Sequence, residues 1–456
     1  MTTHAPRTAT SGRAAAGAAL PVASLGFLLI ILDTSAVNVG LNAMGADLGG
    51  GMSSLQWVVD GYTLLFGALL LSAGAWSDRI GARRALGIGL AAFTLASVAC
   101  GLAPTMPALI GARVVQGAAA AALLPSSLAL VRQAYDDASS RARAIGIWTA
   151  SGAGGIALGP VLGGLLTTAW SWRAIFLVNV PVGIIGLLLL ARTRPSPRRP
   201  APVDLPGQVL AVVALLALTF GVIEGSRDGI LAPPVLLSAL VTVLAAAAFF
   251  AVEARVRRPM LPVALFRSGA AVTVLLAGFA NNAAYYGVVF VLSLYAQREL
   301  GQSALSTGLM FVPMSLVVVA VNLLAPRIAA RIGTWRTIVA GQLTMAAGML
   351  GLLLIGGPRP MQLASLLLLP LGLGASTAVP LLTAVLLDSV APEHAGIAAG
   401  AFNAARQLGG GLAIAVFGSL AVGLRSFHAG FVASVLLGAG GLLVAVTVTL
   451  LGRHRS

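Results

Sequence analysis

The sequence predicts an all-α integral membrane protein with fourteen transmembrane helices, arranged as two six-helix bundles plus two inserted helices. Three observations predict this class. Hydrophobic residues make up 58% of the 456-residue chain and charged residues 9%. Together with a mean hydropathy of +0.97, far above what a water-exposed surface tolerates, this means that the chain needs lipid as its solvent. Apolar runs of about 20 residues, enough to cross roughly 30 Å of hydrocarbon, recur from Leu20 almost to Leu451 and leave no room for a soluble domain. Arginines, finally, concentrate in alternate loops.

The elements follow in order. Residues 1–18 form a tail with Arg7 and Arg13; no small-residue cleavage site follows, so the first apolar run is an uncleaved span. Breaks rich in Gly, Pro and Arg then give spans near 19–41, 55–76, 85–103, 107–133, 141–167 and 174–191, which form the first bundle, 19–191. Spans near 206–225 and 232–253 lie in a linker, 192–270. Spans near 271–297, 304–326, 335–356, 361–388, 394–422 and 428–450 form the second bundle, 271–450, and 451–456 is a short tail.

A net charge of +15 in a soluble chain would suggest nucleic acid as a partner. Here the arginines sit in short loops and set topology, so no nucleic acid is expected. With the N-terminus inside, the cytoplasmic segments hold 21 arginines, among them Arg79, Arg83, Arg84, Arg132, Arg141, Arg143, Arg192, Arg327 and Arg331, along with Arg7 and Arg13 in the first tail and Arg453 and Arg455 in the last. The other side holds five: Arg173, Arg227, Arg298, Arg359 and Arg425. Losing one span would scramble this alternation, so both termini are expected to be cytoplasmic. The single Cys100 has no disulfide partner and reads as a packing residue. His4, His394, His428 and His454 are scattered, no paired ligands suggest a metal, and no G-x-x-x-x-G-K-[ST] loop suggests a nucleotide motor.

The loop after span 2, Gly74 to Arg84, is echoed after span 10 by Arg327-Ile-Ala-Ala-Arg331-Ile-Gly333-Thr-Trp-Arg336. Spans 1–6 thus match spans 9–14, and the fifth of each set is glycine-rich. Duplicated bundles around a midplane site are a transporter architecture. Ionisable residues inside spans are costly in hydrocarbon and are functional candidates for that reason. From the outer span ends, at about 1.5 Å per residue, Asp33 lies roughly 12 Å deep, Asp60 about 8 Å and Arg113 about 9 Å. Asp60, nearest the surface, is open to hydration. Moving Arg113 relative to Asp33 could load and release a proton; a static ion pair fixing helix register is the alternative.

Span 5 carries Gly146, Gly155, Gly159-Pro160 and Gly163-Gly164 at fixed spacing. This pattern, the Gly74–Arg84 loop, Leu32-Asp33-Thr34, Arg113-Val-Val-Gln116-Gly117 and Trp172-Arg173 to Gly183 together resemble the fourteen-span drug:proton antiporters of the major facilitator superfamily, the EmrB/QacA type, along nearly the whole chain. Two departures stand out: Ala82 replaces a common basic residue, and Gly40-Leu41-Asn42 replaces Ala-Leu-Pro. The resemblance implies the major facilitator fold and proton-coupled export of small hydrophobic or amphipathic compounds, drugs or antibiotics, by alternating access. Export of one specific metabolite on the same fold is the alternative.

It also implies roles. Asp33, Asp60 and Arg113 would couple protons. Gly74, Asp78, Arg79, Gly81, Arg83 and Arg84 would form a cytoplasmic gate, or simply a basic turn. Gly146, Gly155, Gly159, Pro160, Gly163 and Gly164 would seal a helix interface. Asn281, Asn282, Tyr285, Tyr286, Asn403, Arg406 and Gln407 are candidates for the substrate cavity; Asn403, Arg406 and Gln407 share a helical face suited to bracing or to capture of anionic or carbonyl groups. No cofactor beyond the proton gradient is expected, and a monomer in a bacterial cytoplasmic membrane should suffice.

Overall fold

The computed structural model describes residues 9–135, 137–198, 204–256, 268–355, 361–390 and 395–452. Arg7, Arg199, Arg257, Arg258, Arg267, Arg359, Arg453 and Arg455 lie outside them, as do His4, His394 and His454. The described chain runs α1 (Ala9–Leu48), α2 (Met52–Ile80), α3 (Ala82–Gly101), α4 (Met106–Ala134), α5 (Ala138–Ala169), α6 (Arg173–Leu177), α7 (Asn179–Ala191), α8 (Leu205–Asp228) and α9 (Pro233–Glu253). It continues with α10 (Gly269–Arg298), α11 (Ala304–Met310), α12 (Val312–Ile332), α13 (Thr334–Gly351), α14 (Met361–Asp388), α15 (Ala395–Gly423) and α16 (Phe427–Gly452).

Among the described residues, thirteen helical segments are long and apolar enough to cross a membrane, and α2 makes a fourteenth when its two parts, Met52–Leu70 and Ser72–Ile80, bent by 61°, are taken as one span. Helix α1 starts at Ala9, inside the segment expected as a tail, and runs on to Leu48 because no Gly pair interrupts it before Gly49 and Gly50, both with positive φ. Two spans are broken for a visible reason. Pro181 cannot donate to the Leu177 carbonyl, and Pro313 cannot donate to that of Leu309, so the sixth span splits into α6 and α7 and the tenth into α11 and α12.

The sequence echo has a backbone counterpart. Gly81 between α2 and α3 has φ 92°, ψ 133°, and Gly333 between α12 and α13 has φ 94°, ψ 144°. Residues with a Cβ rarely adopt this conformation. Both turns lie at one end of the molecule, which we term the basic face. The Arg83 side chain there donates to the carbonyls of Leu190 (3.2 Å) and Ala191 (3.1 Å). At the other end, Trp172 and Arg173 both donate to Asp47, and Arg298 Nε donates to Asn42 Oδ1 at 2.8 Å.

The cores show how the two bundles meet. Near the opposite face a single apolar cluster joins Val37, Leu41, Leu55 and Phe176 of the first bundle to Val288, Leu292, Phe417 and Phe431 of the second. Towards the basic face it gives way to two clusters in the first bundle, one around Phe66, Leu86, Phe93 and Leu123 and a small one around Val131 and Trp148, and to one in the second around Val274, Ile338, Leu382 and Phe402. The bundles are therefore packed together at the opposite face and apart at the basic face. Along one flank α2 lies against α15; along the other α5 lies against α11 and α12. The inserted pair α8 and α9 packs at the first flank, where Gln208 Nε2 donates to the Ala68 carbonyl (2.9 Å), Ser53 donates to Glu224 (2.5 Å) and Ser419 donates to the Val222 carbonyl (3.0 Å).

Candidate functional site

Within the first bundle the polar side chains converge on one carboxylate. Asp33 of α1 is fully buried. Arg113 Nη1 of α4 meets its Oδ2 at 2.5 Å, while Gln116 Nε2 of α4 and Asn179 Nδ2 of α7 each donate to its Oδ1 at 3.0 Å. Arg113 is itself spread over four further groups: Nε donates to the Val58 carbonyl (3.0 Å), Nη1 to Gln116 Oε1 (2.7 Å), and the guanidinium carbon lies 4.3 Å from the centre of the Tyr62 ring and 5.6 Å from that of Phe176. Ser97 of α3 accepts from Gln116 at 2.8 Å. Five helices thus meet at Asp33. A buried pair held by this many hydrogen bonds offsets much of the desolvation cost of two charges, and losing either partner would leave the other uncompensated.

Asp33 and Arg113, chosen as charges within apolar runs, are side by side. Gln116 and Asn179 were quoted only as parts of motifs and given no role. Gln116 could have been found from its spacing of three from Arg113, which puts both on one helix face. Asn179 had no periodic signal, only the oddity of an amide two residues before Pro181 in an apolar run.

Asp60 is not part of this cluster. It is fully buried rather than hydrated, and neither carboxylate oxygen has a hydrogen-bond partner among the described residues. It faces the second bundle: a Cβ added to Gly411 of α15 would lie 3.5 Å from Asp60 Oδ1. A polar group buried in this way carries its full desolvation cost, because no hydrogen bond offsets it.

In the second bundle Arg406 of α15 finds amides instead of an acid. Nε donates to Asn282 Oδ1 of α10 at 3.1 Å and Nη1 to Asn403 Oδ1 at 3.3 Å, and its guanidinium carbon lies 5.7 Å from the Phe402 ring centre. Among the described residues no carboxylate pairs with it. Asn281 donates to the Ala375 carbonyl (3.4 Å) and so points into its own bundle. Tyr285 and Tyr286 pack edge to face at 5.3 Å, and Tyr286 lies within electrostatic range of both Tyr62 and Arg406. Gln407 sits at the flank against Gly67 of α2.

The six span-5 positions divide by neighbour. Cβ atoms built on Gly155, Gly159 and Gly163 would collide with Ile31, Ser35 and Ala36 of α1, each at 3.0 Å or closer. Gly164 and Pro160 instead contact α11 of the second bundle through Ala304 and Gly308, and a Cβ on Gly146 would meet nothing within 4 Å. At the basic face Gly81 shapes the turn and Arg83 binds α7, whereas Asp78, Arg79 and Arg84 are exposed and a Cβ on Gly74 would meet nothing within 4 Å. Asp78 and Arg79 make no ion pair among the described residues.

The sequence profile of the Major Facilitator Superfamily matches residues 23–414. The methylenomycin A resistance protein of Streptomyces coelicolor is 37% identical over 403 residues, 88% of this chain and 85% of that protein. The cephamycin export protein CmcT of Amycolatopsis lactamdurans is 39% identical over 417 residues, covering 89% and 85%. A crystal structure of a peptide transporter, POT, in complex with sulfate superposes with a TM-score of 0.71 at 15% identity, covering 95% and 93% of the two chains, a likeness of fold alone.

Proposed function

Because the chain belongs to the Major Facilitator Superfamily, we propose that it is a proton-coupled antiporter that exports small hydrophobic or amphipathic compounds, antibiotics among them, across a bacterial cytoplasmic membrane. The arginine distribution supports a cytoplasmic basic face with both termini inside, and the single core at the opposite face supports an inward-facing state. The unpaired, exposed Asp78 and Arg79 accord with a cytoplasmic gate standing open. One copy of the chain suffices, and the proton gradient is the only energy source.

The observation that carries the coupling is the Asp33 cluster. Ionised Asp33 holds Arg113, and with it α4, against α1. A proton on Asp33 cancels the ion pair, and Arg113 then keeps Val58, Gln116 and the faces of Tyr62 and Phe176. That difference can bias the bundles between two arrangements, since a ligand shifts an equilibrium only by its differential affinity for the two states. The test is efflux of a fluorescent drug from vesicles with an imposed pH gradient, comparing wild type with Asp33→Asn. Wild type should respond to the gradient and the substituted protein should not. Undiminished gradient-driven efflux in the variant would remove Asp33 as the coupling acid, and gradient-insensitive wild type would sink proton coupling itself.

Export of one specific metabolite remains a second reading, favoured by relatives whose names each carry a single antibiotic. An efflux panel in a pump-deficient host separates the two: protection against one compound class supports the narrow reading, protection across classes the broad one.

A further inference from the structure

Among the described residues, the second bundle contains a positive charge within a span that no carboxylate neutralises. Arg406 lies in the span Ile397–Gly423, half-buried, and no carboxylate pairs with it among the described residues. Asp60, which packs against Gly411 about one and a half turns along the same helix, makes no ion pair with it. A guanidinium at membrane depth without a counter-charge is costly and marks a substrate or ion pathway.

The hydrogen-bond inventory says what is missing. Of the five guanidinium N–H donors, one on Nε and one on Nη1 reach amide oxygens, and Nη2 reaches none among the described residues. Asn282, 3% exposed, spends its carbonyl on Arg406, and its Nδ2 has no partner although it is buried. Unused donors from α10 and α15 are therefore grouped together, and the group they lack is an acceptor. A planar guanidinium edge fits a carboxylate in bidentate fashion. Tyr286, whose ring a Cβ on Gly410, about one turn along α15 from Arg406, would meet at 3.2 Å, packs edge to face on Tyr285 and supplies aromatic surface for an apolar body beside that head group.

We infer that Arg406 and Asn282 form a carboxylate-recognising subsite in the second bundle, so that the exported compounds include amphipathic acids whose carboxylate docks there and whose ring system lies against Tyr285 and Tyr286. This rests on the export reading above and narrows its substrate class. It also divides the labour between the halves, the proton being handled at Asp33 and the anion at Arg406.

Two fluorescent probes with one aromatic body test it: dansylglycine, a carboxylate, and dansylglycinamide, its neutral counterpart. Binding to the full-length protein in phosphatidylcholine nanodiscs, free of anionic lipid, is followed by dansyl emission. Wild type should bind the acid at least about tenfold more tightly than the amide, the size of a charge-assisted hydrogen-bond pair. Arg406→Gln should erase that preference by weakening the acid alone, Arg406→Lys should keep part of it, and Asn282→Ala should reduce it. Unchanged amide binding in each variant reports an intact fold. Equal affinity of wild type for both probes overturns the subsite, and so does an acid preference that survives Arg406→Gln. Loss of both probes together in Arg406→Gln also overturns it, showing a structural brace. Probe binding needs no gradient, so failure of proton coupling in the Asp33 assay leaves this result standing, and failure here leaves that one standing.

Discussion

At the scale of single residues the chemistry concentrates where a charge has more neighbours than an ion pair needs. Asn179 is one of three donors on Asp33. Asn179→Leu should preserve expression and folding, because the aliphatic side chain fits an apolar span, yet reduce gradient-driven efflux about tenfold, the worth of one hydrogen bond to a charged group; transport in vesicles measures this. Asp137, outside the spans, caps α5 by accepting from the Ser140 amide at 2.8 Å and from the Ser139 hydroxyl at 2.7 Å, and these bonds hold its carboxyl down to about 2. A depressed folded-state value contributes stability that is fully present above the ordinary value of 3.8 and is lost as pH falls towards about 2. Protection of the Ser140 amide against exchange, relative to its intrinsic rate at each pH, should accordingly fall across that window, and Asp137→Ala should show the lowered protection at every pH. Asp33 and Arg113 were legible because charges stand out in apolar sequence. Asn179 was passed over and Asn282 was named without its link to Arg406, since an amide in a span carries no periodicity and its meaning depends on what the neighbouring helix presents.

At the scale of elements, spacing gave the span-5 pattern as one unit, and three-dimensional packing splits it. A methyl at Gly163 would press the Ala36 carbonyl of α1, whereas one at Gly146 would meet open space. Gly163→Ala should therefore destabilise the protein by about 1–3 kcal/mol through overpacking. Gly146→Ala should be neutral or stabilising by up to about 1 kcal/mol from helix propensity. Thermal unfolding in detergent of the two variants side by side tests the distinction. The fourteen spans were legible because hydrophobic length is a one-dimensional signal. Which face of a glycine-rich helix meets which partner is decided by rotation about the helix axis, and small residues on all sides leave that rotation unmarked in the sequence.

For the whole molecule, the decisive observation is one core joining the bundles at one face, whereas at the other each bundle keeps its cores to itself. Cysteines at Asn42 and Arg298, residues hydrogen-bonded across the closed face at 2.8 Å, should react readily with a short bifunctional thiol reagent in a Cys100→Ala background. The cross-link should abolish efflux, and reduction of a cleavable linker should restore it. Cross-linked protein that still transports would mean the two faces do not alternate. The inserted helix α8 has a consequence of a different sort. Bound to α2 through Ala68 and Ser53 and to α15 through Ser419, it shutters one of the two flanks where the bundles meet, and among the described residues no inserted helix covers the other, where α5 runs past α11. On the export reading, a compound dissolved in the bilayer would find the α8-covered flank shut, which leaves the flank beside α5 as the one that only the close packing of Gly164 and Pro160 on α11 guards.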